Sequence, residues 1–499
     1  MKNVLIVCSL DGLLNELIPK IKSHDKNIKI NIFSDTKFFG KNDVEHIEYS
    51  KTHFGWYNKN FELDEDFSNI LNKMKEFEYM AMRCYDKMEK ISLLNRFEQF
   101  IFQKKKLSFS LFKSIKLTFQ ERRLIYLKHI VFWLSFLKKK KIDTVTFVWV
   151  PHVSADYVIY GLCKILKIKT IILEQCSFLN RFYAHSDLIS YSSEFVKKLK
   201  NTKINFKNKR LSLYSEKYIK WLMSPKPHPD WYMKDETFGG FTLHLFGKKI
   251  FIKFLKGIIQ FFKGKTKINF VLRNLMLETQ TKFLNKELKL NYKRLSNLPD
   301  FSKKFIYFPL HVQPEMSTTP LADQFVDQFN IIEILSASVP NNVYIFVKEH
   351  PAQLSFGRSS IEYLAFSNLK NVKIVDMNTD TFDLIDKSIA VATCTGTAGF
   401  EALFKRKPVL FFSKYNVFSY APGGFIISSV KDCKMALKKI VKGVKVEIRK
   451  LKQFVINVES ISESGNINGI EHNLKRIGIT KKENLENISK VILNELFQK

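Results

Sequence analysis

Acidic residues are scarce in this sequence. Against 81 Lys and Arg stand 48 Asp and Glu, a formal net charge of +33 over 499 residues. Cysteine is rarer still: the six residues, Cys8, Cys84, Cys163, Cys176, Cys394 and Cys433, form no C-x-x-C pair. That excludes a zinc ribbon, a thioredoxin-type motif and a secreted disulfide scaffold. Four of the six lie in apolar surroundings and read as core thiols, so a reducing, cytoplasmic setting is expected. Long apolar runs are missing too. The opening MKNVLIVCSLDGLLNE has a short apolar run that soon meets Asp11 and Gly12, and it reads as a first β-strand rather than a signal peptide. LIYLKHIVFWLSFLKKKK, from Leu124, is broken by Lys128 and His129 and is too short to span a bilayer. Neither a Walker A motif nor G-x-G-x-x-G occurs, which disfavours a P-loop NTPase or a dinucleotide enzyme.

What is present begins with material for a core: 45% hydrophobic and 14% aromatic residues in a chain long enough for two to three domains. Lys, Asn, Ile and Phe are abundant throughout, so the charge total is in part a compositional bias. Its distribution is more telling. From Phe238 the chain runs FGGFTLHLFGKKIFIKFLKGIIQFFKGKTK, with Phe251, Ile252, Phe254, Leu255, Ile258, Ile259, Phe261 and Phe262 among lysines at near-helical spacing. Such a helix suits an anionic membrane surface, or else packs its apolar stripe on a core and solvates its lysines.

Along the chain, NVLIVCS, IKINIFS, DTVTFVWVPH and KTIILEQC read as strands, with a long Lys-rich helical stretch from Phe61 to Lys141 and a helix over SADYVIYGLCKILKI. Residues 205–300 are Lys- and Asn-rich and helical. Strand and helix then alternate again from KFIYFPLH to KPVLFF, with a helix over ADQFVDQFNIIEILSASV, and Lys-rich helix follows Val441, with SESGNINGIEHN as a loop. The expected fold is α/β: two Rossmann-like domains facing a cleft, with inserted Lys-rich helices. The expected units are 1–204, a basic helical linker 205–300, a second Rossmann-like domain 301–440, and a helical tail 441–499.

Three loops at strand ends of the second domain carry chemistry. PLHVQPEMSTTP gathers His311, Gln313, Glu315, Ser317, Thr318 and Thr319 where the chain leaves the sheet. YIFVKEHP ends a buried strand in Lys348, Glu349, His350 and Pro351. Lys348 can meet a phosphate as a point charge, His350 can bond a phosphate oxygen or move a proton, Pro351 fixes the exit, and Glu349 can pair with Lys348. In ATCTGTAGFEALFKRKPVLFF, a strand runs into Thr395, Gly396 and Thr397 and then a helix bearing Glu401. Glycine admits close approach, and hydroxyls with helix N-terminal amides bind an anion; Glu401 can accept from ribose hydroxyls. Each loop alone also reads as an ordinary polar strand end.

In this order the motifs resemble the bacterial capsular polysaccharide biosynthesis family, whose members include Kdo-transferase-like enzymes of the two-domain GT-B glycosyltransferase fold. The resemblance is clearest over residues 303–425. It implies a nucleotide-sugar donor held by Gln313, Glu315, Lys348, His350, Pro351, Thr395, Gly396, Thr397 and Glu401, with no metal or other cofactor. The only D-x-D, Asp64 to Asp66, reads as an acidic helix start. The catalytic group is then expected from the first domain: Asp86 in RCYDK, His152 or Asp156 in PHVSADY, or Glu174 in ILEQC. Glu174 would act as base or nucleophile, while Asp156 in a first helical turn could serve the helix dipole alone.

The function implied is transfer from a nucleotide-activated sugar, with a CMP-linked, Kdo-like or sialic-type donor first in line. The acceptor would be a glycan or lipid-linked glycan, and the protein would sit peripherally on the inner face of the cytoplasmic membrane. A CDP-polyol phosphotransferase of similar fold and a non-catalytic polysaccharide assembly protein are the alternatives. A nucleic-acid partner is not expected, since it would have no use for the strand-end motifs.

Overall fold

Runs such as KFIYFP and VYIFVK are apolar without alternation because a strand covered by helices on both faces has no solvent side. The computed structural model describes residues 2–34, 44–48, 65–84, 119–188, 210–225, 289–350 and 358–497, with residues 197, 199, 259 and 353 in addition and without 9, 11, 177, 178, 314 and 416.

The first domain starts with β1 (Asn3–Val7), α1 (Leu13–His24), β2 (Lys29–Ser34) and β3 (Glu45–Glu48). The long helices α2 (Phe67–Cys84) and α3 (Phe119–Lys139) follow. Then come β4 (Thr144–Phe147), α4 (Ser154–Leu166), β5 (Lys169–Cys176), β6 (Arg181–His185) and α5 (Leu213–Leu222).

The second domain contains β7 (Lys304–Pro309), α6 (Gln328–Ser336), β8 (Val343–Lys348), α7 (Ser360–Ser367), β9 (Val372–Ile374) and α8 (Thr381–Lys387). It continues through β10 (Ala390–Thr393), α9 (Thr397–Phe404), β11 (Val409–Phe411), β12 (Gly424–Ile426) and α10 (Val430–Val441). The chain ends in α11 (Ile448–Ser460), β13 (Glu463–Ser464), α12 (Glu471–Ile477) and α13 (Lys481–Phe497).

Two sheets result. The first has the order β13-β6-β5-β4-β1-β2-β3, parallel except at β6 and β13; the second, β12-β11-β10-β7-β8-β9, is parallel throughout. In the second, Ile306, Phe308, Ile345 and Val347 face one core, with α6, α7 and α10, while Phe305, Tyr307, Phe346 and Val391 face α8 and α9. Both expected Rossmann-like domains are therefore present. Among the described residues, no helix is long and apolar enough to cross a membrane.

Three expectations are corrected. The tail is not a separate unit, because β13 pairs with β6 and α13 packs on α1, so the last residues complete the first domain. Within SESGNINGIEHN, Glu463 and Ser464 are strand rather than loop. The helix expected from Ala322 begins only at Gln328, where Asp327 caps it by accepting from the Phe329 amide at 3.1 Å. The linker region contributes α5, whose Tyr218 stacks on Phe400 at 6.1 Å and whose neighbour Ser224 accepts from Lys405 Nζ at 2.8 Å. Of the basic aromatic run, only Ile259 is among the described residues.

The crossing back to the first domain is held by Arg181. Its Nε donates to Ser462 Oγ at 2.8 Å, one terminal nitrogen to Ser464 Oγ at 2.9 Å and the other to the Glu459 carbonyl at 2.9 Å. The Glu459 carboxylate accepts from the Ser212 amide at 3.0 Å and the Ser215 hydroxyl at 2.6 Å, tying α5 to α11.

Candidate functional site

Strands β7 and β8 pair in register from Lys304 with Val343 to Pro309 with Lys348, so they end level, and the Leu310 amide donates to the Lys348 carbonyl at 2.8 Å. Strand β10 ends beside them, with Val391 opposite Tyr307. Level strand ends bring the three loops side by side.

His311 is the hinge of this group. It is buried, its amide donates to Gln328 Oε1 at 2.8 Å, and its Nε2 lies 3.1 Å from the Thr393 hydroxyl. That hydroxyl also accepts from the Gly396 amide at 3.2 Å. The imidazole thus rests against the turn that starts α9. Burial pushes its pKa down to about 3, with His350 and Arg358 adding to the effect, so the ring is neutral. Gln313 is buried as well: its amide donates to Gln353 Oε1, its carbonyl accepts from Gln353 Nε2, and its Oε1 accepts from Gln328 Nε2, each at 2.9 Å. It braces the loop. Glu315 turns the chain, accepting at its carboxylate from the Ser317 amide (3.0 Å) and at its carbonyl from the Thr319 amide (2.7 Å).

His350 is half-buried at the end of β8. Burial lowers its pKa to about 4; the Glu315 carboxylate opposes the shift, while Lys348 and Arg358 add to it. A neutral imidazole that can donate from one nitrogen therefore faces this loop cluster. Glu349, next to it, does not pair with Lys348. Its Oε2 meets Arg358 Nε at 2.6 Å with both side chains fully buried, and accepts from the Tyr363 hydroxyl; its Oε1 accepts from the His350 amide at 2.7 Å. Arg358 also donates to the His311 carbonyl at 3.0 Å. One buried ion pair thus fixes the backbone of both histidines.

Lys348 is bonded to the neighbouring loop. Its ammonium donates to the Thr379 carbonyl and the Thr381 hydroxyl, each at 2.7 Å, so it anchors the β9–α8 loop. Burial pushes its pKa down to about 8, against the pull of Asp380, Asp376 and Glu401. Glu401, on α9, therefore sits within electrostatic reach of Lys348 and is half-buried.

Thr395, Gly396 and Thr397 are half-buried at the start of α9, and among the described residues no side chain caps that helix. Thr395 Oγ1 donates to the Ser317 carbonyl at 2.9 Å, joining the first and third loops. A Cβ on Gly399 would come within 2.7 Å of Phe411 and 2.9 Å of Thr393, which is why the helix can begin so close to the sheet. An uncapped first turn beside hydroxyls and neutral imidazoles can accept an anion.

The first-domain candidates separate. Asp156 is fully buried and spent as a cap: it accepts from the Val153 amide at 2.7 Å, Trp149 Nε1 at 3.0 Å and the His152 amide at 3.4 Å. His152 Nδ1 donates to the Val150 carbonyl at 2.6 Å. Glu174 is buried on β5 with its Oε2 3.3 Å from His185 Nε2 on the antiparallel neighbour β6. Asp86 and Pro351 lie outside the described residues. The sequence reading passed over Arg358, Gln328 and Gln353. The one signal toward Arg358 was a carboxylate, Glu349, at the end of an otherwise apolar strand, which needs a cation once buried.

Residues 290–420 match the family described as capsule polysaccharide biosynthesis protein. No curated protein matches the chain. Among solved structures, the S. aureus MnaA–UDP co-structure is 10% identical over 99% of this chain and 96% of that one, with a TM-score of 0.28. A beta Kdo 2,7 transferase, KpsC of Thermosulfurimonas dismutans, is 14% identical over 69% of this chain and 98% of that one, at 0.26. The UDP-GlcNAc 2-epimerase from Methanocaldococcus jannaschii is 12% identical over 100% of both, at 0.22. Likenesses this loose carry no role across. The family match, over residues 290–420, covers the three strand-end loops whose motifs resemble that family.

Proposed function

We propose that this protein is a glycosyltransferase that uses a nucleotide-activated sugar in capsule or surface polysaccharide synthesis. The observation that carries the reading is the meeting of His311, His350, Glu315 and the uncapped first turn of α9 at level strand ends, inside the segment that matches the family. The donor phosphate would lie over the Thr397 end of α9, with the Thr397 hydroxyl and the His350 imidazole around it, and Glu401 would take the ribose. In the reaction the bond from the anomeric carbon to the nucleotide phosphate oxygen breaks and a bond to an acceptor oxygen forms. The helix end and imidazole stabilise the departing phosphate, and a carboxylate takes the acceptor proton. Glu174 is the described first-domain carboxylate left for that role, since Asp156 is committed as a cap. A CMP-linked donor, a glycan or lipid-linked glycan acceptor and a place at the inner face of the membrane complete the proposal.

Thermal unfolding with CMP, CDP, UDP, GDP and ADP, for wild type and His350→Ala, tests it. A nucleotide at about a hundred times its Kd stabilises the fold by about 2.7 kcal/mol. Stabilisation by CMP that the variant loses is the expected result. A preference for CDP moves the reading to a polyol-phosphate transferase, and no shift with any nucleotide removes the donor site.

A further inference from the structure

Helix α10 buries Cys433, Ala436, Leu437 and Ile440 on the second domain. Its outer face exposes Lys431, Lys434, Lys438, Lys439 and Lys442 at the helix C-cap. Two exposed apolar side chains share this face, Met435 among the lysines at 48% and Val441 at its edge at 59%. At 3.6 residues per turn these seven occupy an arc of about 160°. No acid interrupts it. The one carboxylate of the helix, Asp432, is engaged at the N-terminus, accepting from Ser429 Oγ at 2.9 Å and the Ser428 amide at 3.2 Å. None of the five lysines pairs with a described carboxylate. Exposed Lys445, Arg449, Lys450 and Lys452 follow in the chain, with Glu447 among them paired to Lys450 at 2.7 Å.

A Lys-rich composition alone does not produce this. Other surface helices of the same chain interleave acids with their lysines, as in the pairs Lys20–Glu16 (2.6 Å) on α1, Lys475–Glu471 (2.9 Å) on α12 and Lys482–Glu486 (3.9 Å) on α13. On α10 the single acid is engaged at the N-terminus, and Met435 stands among the cations with Val441 at the edge of their arc. Lysines around apolar side chains are the pattern that attracts anionic headgroups and inserts shallowly below them. A nucleic-acid strand would call instead for arginine or aromatic side chains on which bases stack, and this face has neither. We propose that the outer face of α10 seats the protein on an anionic lipid bilayer. Vesicle binding needs no donor nucleotide, so this proposal stands or falls apart from the transfer reaction.

The test is co-sedimentation of the full chain with phosphatidylcholine vesicles, with and without phosphatidylglycerol, at about 0.15 M salt. Binding is expected only with the anionic lipid. Lys434→Glu/Lys438→Glu/Lys442→Glu should weaken it about a hundredfold, at about fivefold for each lysine. Lys475→Glu/Lys482→Glu/Lys490→Glu, on other helices, should leave it near the wild-type level. All six native cysteines are buried, so Met435→Cys can be labelled selectively with an environment-sensitive dye, which should shift to the blue on anionic vesicles. Equal binding to neutral vesicles, wild-type binding by the α10 triple variant, or a dye that does not respond would each overturn the proposal. So would a wild type that ignores vesicles but needs these lysines to hold duplex DNA.

Discussion

A Cβ added to Gly396 would stand 2.8 Å from Nε2 of His311 and 3.0 Å from Thr393 Oγ1. The first turn of α9 and the loop after β7 are therefore one fitted surface, in which the glycine is required by a neighbour rather than by its own backbone angles. Gly396→Ala should cost about 1–3 kcal/mol through displacement of the ring. It should also abolish the nucleotide-induced thermal shift. Loss of stability with the shift intact would separate the two loops.

Arg358 and Glu349 should behave as a buried pair. Arg358→Ala leaves the carboxylate unpaired and should cost about 3–5 kcal/mol in urea unfolding. Arg358→Met with Glu349→Gln should recover most of that loss. If the double variant is as unstable as the single one, packing rather than charge explains the effect.

Acid should loosen the site. Burial holds His311 at about 3 and His350 at about 4, against 6.5 for an exposed histidine. The unfolded chain takes up protons first, so the histidine contribution is complete above the unfolded value and is lost as pH falls from 6.5 toward 4 for His350 and 3 for His311. Urea midpoints measured at about pH 7 and about pH 5 should differ for wild type, and His350→Gln should shrink the difference.

Lys348 and His350 should part company. Lys348→Met removes two hydrogen bonds to the β9–α8 loop and should destabilise by about 1–3 kcal/mol. It should leave the nucleotide-induced shift in place, whereas His350→Ala removes that shift. A Lys348→Met protein that folds like wild type yet no longer responds to nucleotide would restore the lysine to the phosphate.

The first domain offers a similar contrast. Asp156→Ala should lower stability by about 1–2 kcal/mol, as loss of a cap does, and leave turnover per folded molecule unchanged. Glu174→Gln should keep the nucleotide shift and stop transfer. Turnover that survives in Glu174→Gln moves the base elsewhere.

Much of the second domain was legible because its strands are buried on both faces, so that KFIYFP and VYIFVK stand out against the polar residues that follow. His350, Gln313 and Gly396 were legible for the same reason, as polar or glycine residues placed where buried strands stop. Direction was not legible. Nothing in the sequence tells a lysine turned toward the Thr379 carbonyl from one turned toward a ligand, and Asp156 reads alike as cap or catalyst until Trp149 and Val153 are seen to close on it. The pairing of Glu349 with Arg358 spans a loop that carries no periodic signal. The antiparallel edge of β6 and β13 was missed because its strands are short and join segments nearly 300 residues apart, a contact that local pattern does not encode.

That late partner bears on the order in which the protein is made. Everything from β7 to α10 is synthesised before β13 and α13, so the second domain can close while the first is unfinished. A nascent chain ending near residue 441 holds β6 as an open edge and α1 without its covering helix. Until the last segment arrives, that edge is free to pair with another chain. Elements made before the second domain are thus enclosed after it.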